Sequence, residues 1–313
     1  MQKILSLLVF ILLAIPTQSA DAFWVWTPET NRFINPKYAV KDTPAEQLQL
    51  GKSFFDSKQY PQAIKEFKKL IKYYPRAKEA PEAQYYIASS YEALNNPFEA
   101  FQEYQVVIDK YPFSERGGEI IERQFQIGEM LLEGKNKSKW AKILESQYNV
   151  VEVFRQVIKN APYGKLAAVS QYKIGLYLKE KGLFQEARDE FEKTINDYPD
   201  TEWAKAAQYQ IALADAKRST KAQYDQKVTQ IAREEFEGFI QNHPETELSD
   251  DAKSHVQSLR DKEAENNFLV AEFYEKQKNF KAAKIYYNAV VTDFKDSLWA
   301  KKALERIQNL GTN

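Results

Sequence analysis

Cysteine is absent from all 313 residues. That excludes disulfides, thiolate metal sites and a lipid-modified cysteine at the start of a mature chain. Histidine is nearly absent: the two, His243 and His255, stand twelve residues apart, and His243 precedes a helix-breaking proline. A histidine-based metal or nucleophilic site has little to draw on, and no HExxH, GxSxG, P-loop or dinucleotide fingerprint occurs. The sequence therefore argues against an enzyme and implies no cofactor, metal or small-molecule substrate. Charge of one sign is not in excess either, since 44 Lys and Arg meet 44 Asp and Glu. A balanced chain argues against nucleic acid as the partner, because phosphates need a basic face. Glycine is scarce, at 10, while tyrosine is abundant, at 19. Low glycine with periodic alanines and tyrosines directs attention to helical repeats.

The single long apolar stretch lies at the start. Lys3 precedes a 12-residue segment, Ile4 to Ile15, that is apolar apart from Ser6; Pro16 breaks it, and Ala20-Asp21-Ala22 places small residues at a cleavage site. This predicts a secretory signal peptide over 1–22, cut after Ala22, because the run is short for a bilayer span. Residues 23–44 follow as an aromatic, proline-containing segment, with Phe23, Trp24 and Trp26 before Pro28 and Phe33 between Pro28 and Pro36. The prolines exclude a helix and leave a short extended segment or hairpin. Its aromatics suit either a cap on the first repeat or a docking strip for a partner or a membrane interface.

Tyr-Pro recurs at Tyr74-Pro75, Tyr111-Pro112 and Tyr198-Pro199, with weaker versions at Ala161-Pro162 and His243-Pro244. The step from Pro75 to Pro112 is 37 residues, as is that from Pro162 to Pro199. Reading back from each proline gives the tetratricopeptide pattern: Gly51 with Ala63, Phe67 and Ile71; Ala88 with Ala100, Tyr104 and Ile108; Gly175 with Ala187, Phe191 and Ile195. Small residues let two helices cross closely, large ones fill the space between hairpins, and proline ends the second helix. The third repeat (Gly128, Phe154) and the fifth (Ala212, Phe236) carry insertions near 133–146 and 218–227, and the sixth (Ala271, Tyr287) has Lys295 in place of proline. The expected fold is all-α: a right-handed superhelix of about six tetratricopeptide-like hairpins over 45–313, closed by a capping helix near Leu298–Leu310. Ser249-Asp250-Asp251 falls where the sixth hairpin should begin, as suits a helix N-terminus better than a metal site.

In such arrays the first helix of each hairpin lines the concave groove. One residue after the recurrent Gln47, Gln84, Gln124, Gln171 and Gln208 stand Leu48, Tyr85, Phe125, Tyr172 and Tyr209, with Phe268 in the sixth repeat. This ladder suits either gripping an extended peptide or completing the packing of each hairpin. Lys52, Ser89, Glu92, Glu129 and Lys179, about one turn on, would add polar contacts.

Residues 232–297 contain Leu259-Arg260-Asp261, Ala264 and Val270-Ala271-Glu272-Phe273-Tyr274. This stretch resembles the last two repeats of the BamD family, the tetratricopeptide component of the outer-membrane β-barrel assembly machinery. "AIKEFKKLIKYYPRAKEAPEAQYYIASSYEAL" is similar too, though many exported repeat proteins share that phrase. The resemblance implies N-terminal repeats that bind unfolded outer-membrane proteins and C-terminal repeats that dock on a BamA-like barrel protein, with a location in the periplasm, peripheral to the outer membrane. It also implies a partner-facing basic residue at Lys262, where arginine is usual, with Arg260, Asp261 and Phe268 beside it. Members of the family carry a lipidated cysteine and five hairpins; this chain has no cysteine and reads as six. Another periplasmic tetratricopeptide adaptor, serving cell division, cell-wall synthesis or polysaccharide export, remains the alternative.

Overall fold

The computed structural model describes residues 25–27, 32–34, 39–133, 150–219 and 226–311. The signal-peptide segment and most of the first insertion lie outside them, as do residues 220–225 of the second. The chain divides into two compact units, Met1–Ser114 and Glu115–Asn313.

The first unit begins with an antiparallel hairpin, β1 (Val25–Thr27) and β2 (Arg32–Ile34), in which Trp26 faces Phe33. Their rings sit 5.2 Å apart and both are exposed. Two helical hairpins follow, α1 (Pro44–Asp56) with α2 (Tyr60–Tyr73) and α3 (Ala80–Ala93) with α4 (Pro97–Lys110). Thr43 starts α1 by accepting a hydrogen bond from Glu46 N–H at 3.2 Å, and Pro44 occupies the first turn, where its missing N–H costs nothing. Residues 39–42 are tied to α2: Tyr74 Oη donates to Lys41 O at 2.7 Å, and Lys69 Nζ donates to Ala39 O at 3.3 Å.

The second unit continues the pattern. Its hairpins pair α5 (Gly117–Leu132) with α6 (Val150–Asn160), α7 (Ala167–Glu180) with α8 (Phe184–Asp197), α9 (Glu202–Arg218) with α10 (Gln226–Asn242), and α11 (Glu247–Lys276) with α12 (Phe280–Asp293); α13 (Leu298–Gly311) ends the series. Thus six hairpins and a final helix stand among the described residues, an all-α tetratricopeptide-type array, with the short β-hairpin as an addition to that class. Ser249 and Asp250 lie in the first turn of α11, whose length of 30 residues exceeds that of every other described helix.

Each hairpin is locked by the same few residues. Phe67, Phe154, Phe191 and Phe236 on the second helices are fully buried, as are Tyr104 and Tyr287. Burying one such ring contributes roughly 2–3 kcal/mol of transfer free energy. The tight turns inside hairpins one, two, four and six place Lys58, Asn95, Gly182 and Lys278 at positive φ. In the first, Lys58 N–H bonds Phe55 O at 2.9 Å and Gln59 N–H bonds Phe54 O at 2.8 Å, the left-handed ending that closes a helix. Between hairpins, Tyr74-Pro75-Arg76-Ala77 forms a turn closed by Ala77 N–H to Tyr74 O at 3.1 Å. The same turn forms at Phe294-Lys295-Asp296-Ser297 (2.9 Å) without proline, so the missing proline changes the residue and not the path.

Candidate functional site

The aromatic positions of the first helices each meet the large ring of their own second helix. Tyr85 lies 5.7 Å from Tyr104, Phe125 5.7 Å from Phe154, Tyr172 5.6 Å from Phe191, Tyr209 5.8 Å from Phe236 and Phe268 5.2 Å from Tyr287. Tyr85, Tyr172, Tyr209 and Phe268 are buried, while Leu48 and Phe125 are half-buried. A second ring flanks several of them: Trp203 lies 5.4 Å from Tyr172, and Trp299 5.1 Å from Phe268. Edge and tilted pairs of this kind are worth about 0.5–1.5 kcal/mol each beyond burial. The surface presented by the ladder is accordingly the half-buried Leu48 in the first unit and Phe125 in the second, with Lys173 Nζ 5.8 Å over the Phe125 ring.

Polar residues on the same helices bridge neighbouring first helices. Lys52 pairs with Glu82 at 3.1 Å and sits 4.9 Å over the Tyr86 ring. Glu129 pairs with Lys173 at 2.9 Å. Lys179 Nζ donates to Gln210 Oε1, and burial, followed by the nearby Lys217 charge, pushes its ammonium below the usual lysine range. Glu92 is used within its hairpin, accepting from Tyr104 Oη at 2.8 Å. Half-buried Ser89 also faces the Tyr104 hydroxyl.

On α11 the candidates part company. Arg260 Nη2 donates to Asp293 O at 2.7 Å and its guanidinium lies 5.7 Å from the Phe294 ring centroid, so it closes the end of α12. Lys262 Nζ donates to Ser219 O, at the end of α9. Two residues apart on a helix means nearly opposite faces. Asp261 accepts from Gln257 Nε2 at 3.3 Å. Phe273, in the same helix, is 58% exposed, and Phe280 and Ile285 on α12 are exposed with it.

Two constellations escaped the sequence reading. The recurrent glutamine is a clamp: Gln47 Nε2 donates to Glu66 Oε2 at 2.9 Å, and Gln171 Nε2 to Glu190 Oε2 at 2.6 Å. A lysine three residues past each glutamate completes it, Lys69 at 2.9 Å and Lys193 at 2.7 Å. Burial raises the Glu190 pKa, but hydrogen bonds from Lys193 and Gln171 and the Arg155 charge outweigh it and hold the carboxyl below the usual range. The recurring glutamine was visible; its partner, on the following helix, was not. The second constellation centres on Asp215, 1% exposed, held by Arg188 and by Arg218 at 3.1 Å. Among the described residues no group of three or more His, Asp or Glu could hold a metal ion, and no helix is long and apolar enough to cross a membrane.

Family models match three stretches. Residues 48–115 and 169–201 match tetratricopeptide repeat families, and residues 212–311 match the YfiO family, described as an outer membrane lipoprotein. No curated protein matches the chain. Solved structures similar to it include a thermophilic tetratricopeptide protein of Thermus thermophilus, 16% identical over 68% of this chain and 99% of that one, with a TM-score of 0.34. A tetratricopeptide repeat protein of Parabacteroides merdae is 12% identical over 86% and 99%, with a TM-score of 0.35. Likeness at this level speaks of neither partner nor role. The chain carries tetratricopeptide repeats, which are protein-interaction modules, and its C-terminal third is similar to an outer-membrane lipoprotein family.

Proposed function

We propose that the protein is a non-catalytic scaffold of the bacterial envelope that helps assemble β-barrel proteins in the outer membrane, exported by its N-terminal signal segment. The observation that carries this reading is the match of residues 212–311 to the outer membrane lipoprotein family, which runs from within α9 through the sixth hairpin and α13. The partner for this C-terminal region is a BamA-like barrel protein, and the unfolded barrel substrate belongs to the earlier repeats. Docking on α11 would use Lys262 and Phe273, which stand eleven residues, or about three helical turns, apart on one stripe. Arg260, on the other face, would support the neighbouring end of α12.

Tagged protein recovered from detergent-solubilised envelopes and read by mass spectrometry tests this. Recovery of a BamA-like barrel protein, lost in Phe273→Asp, supports the reading. Recovery of cell-wall, division or polysaccharide-export components without such a barrel would replace it with the adaptor reading. The absence of cysteine favours that second reading, because the matched family is described as lipoproteins and a lipid anchor of that type needs a cysteine.

A further inference from the structure

The clamp that closes hairpins one and four is opened in hairpin five. There the glutamine is Gln208, the glutamate Glu235, and the place of the lysine is taken by Gly238. Gln208 Oε1 meets His243 Nε2 at 2.9 Å, and Glu235 is held by Arg188 at 3.1 Å in place of the glutamine Nε2. Glu235 is 37% exposed in its side chain, against 6% for Glu190 in hairpin four. Between these groups lies a cavity of about 350 Å³ lined by Gln208, Ile231, Glu234, Glu235, Gly238, Phe239 and Asn242. A Cβ added at Gly238 would meet nothing within 4 Å. In hairpins one and four the same position sends a lysine ammonium onto the equivalent glutamate, whereas in hairpin two it holds Val106 and Gln84 closes on Glu103 without it.

We propose that this cavity is a binding site for a lysine side chain presented by a partner polypeptide. The vacated lysine position opens the space, and Ile231 and Phe239 in its lining offer apolar surface to the ligand's methylenes. The carboxylates supply the charge. Glu235 shares Arg188 (3.1 Å) with Glu192 (3.0 Å) and with Asp215, which Arg218 also holds (3.1 Å), and Glu234 accepts from the uncharged Gln230 amide at 2.8 Å, so four carboxylates face two guanidiniums. One more ammonium would offset that excess, with Gln208 and Asn242 as neutral acceptors beside it. The site lies within the second unit and does not depend on the outer-membrane reading.

The test uses the full chain and the peptide acetyl-Gly-Lys-Gly-amide, followed by NMR shifts of the Glu234, Glu235 and Gly238 amides at constant ionic strength. Wild type should bind it at least about tenfold better than the norleucine peptide, a difference of about 1.4 kcal/mol. Gly238→Ala should retain binding. Gly238→Lys should abolish it, because the built-in lysine takes the site, and should melt higher than Gly238→Ala, the control for helix propensity. Binding that survives Gly238→Lys, equal melting of the two variants, or no preference for lysine over norleucine would overturn the proposal. Cadaverine binding at least about tenfold tighter than the peptide would overturn the polypeptide occupant and assign a free diamine.

Discussion

Phe67 stands where a side chain on Gly51 would have to go: a Cβ built on Gly51 falls 2.4 Å from Phe67 Cε1. The relation repeats at 2.5 Å between Gly175 and Phe191 and at 2.8 Å between Gly128 and Phe154. Glycine is required here by proximity, since none of the three is at positive φ. Gly51→Ala and Gly175→Ala should therefore destabilise. Overpacking costs about 1–3 kcal/mol, against about 1 kcal/mol gained from alanine's helix propensity. A net loss of up to about 2 kcal/mol in urea denaturation is expected. Gly238→Ala, which meets open space, should move the other way by up to about 1 kcal/mol.

Those three glycines and their phenylalanines were legible in the sequence because they recur at fixed spacing. So were the hairpins, the breaks at Tyr-Pro and the start of α11. Spacing reported less about Tyr85, Tyr172, Tyr209 and Phe268. A period shows that a position faces something; it does not say whether the neighbour is a partner or the hairpin's own second helix. The structure places these four in that internal packing, 5.2–5.8 Å from a ring of the second helix. Arg188 and Asp215 were illegible for another reason: they lie 27 residues apart on different hairpins, and each alone resembles an ordinary surface charge.

Alkaline stability should be limited by three buried phenols. Burial raises the pKa of Tyr104, reinforced by Glu92, which accepts its hydrogen bond. Burial likewise raises Tyr209, beside Asp251, and Tyr287, whose hydroxyl bonds Glu275 at 2.7 Å. A folded pKa above the unfolded value of about 10 means the native state holds more protons above that pH. The stabilisation is thus complete below about pH 10 and falls as pH rises beyond it. Ultraviolet absorbance titration should show these tyrosines ionising only with unfolding. Tyr104→Phe should flatten the fall and lower stability at neutral pH by about 1–2 kcal/mol through the lost bond to Glu92. A Tyr104→Phe protein with an unchanged alkaline profile would remove Tyr104 from this account.

Lys58 and Lys278 occupy the left-handed region at φ 59°, where Gly182 serves in the fourth hairpin. A side chain there costs about 1 kcal/mol that glycine avoids. Lys58→Gly and Lys278→Gly should each raise the urea midpoint by the equivalent of about 0.5–1 kcal/mol. The effects should add, because the two turns lie at opposite ends of the sequence in different units.

Asp215 is the most exposing test of the second unit's polar interior. Its side chain is 2% exposed, and removing Arg188 would leave it with Arg218, whose side chain is 38% exposed. Arg188 is held above the usual guanidinium range: burial opposes its charge, but Asp215, then Glu235 and Glu192, outweigh that. The two single variants should therefore differ. Arg188→Ala leaves the buried anion with the more exposed Arg218 as its remaining counter-charge and should cost about 3–4 kcal/mol, toward the lower end for a broken buried pair. Asp215→Ala leaves Arg188 with Glu235 at 3.1 Å and Glu192 at 3.0 Å, and should cost less, about 2–3 kcal/mol. In the double variant the under-compensated anion disappears, so the combined loss should fall short of the sum by at least about 1 kcal/mol. Strict additivity in urea denaturation would mean that the pair contributes nothing as a pair and that each side chain acts through packing alone.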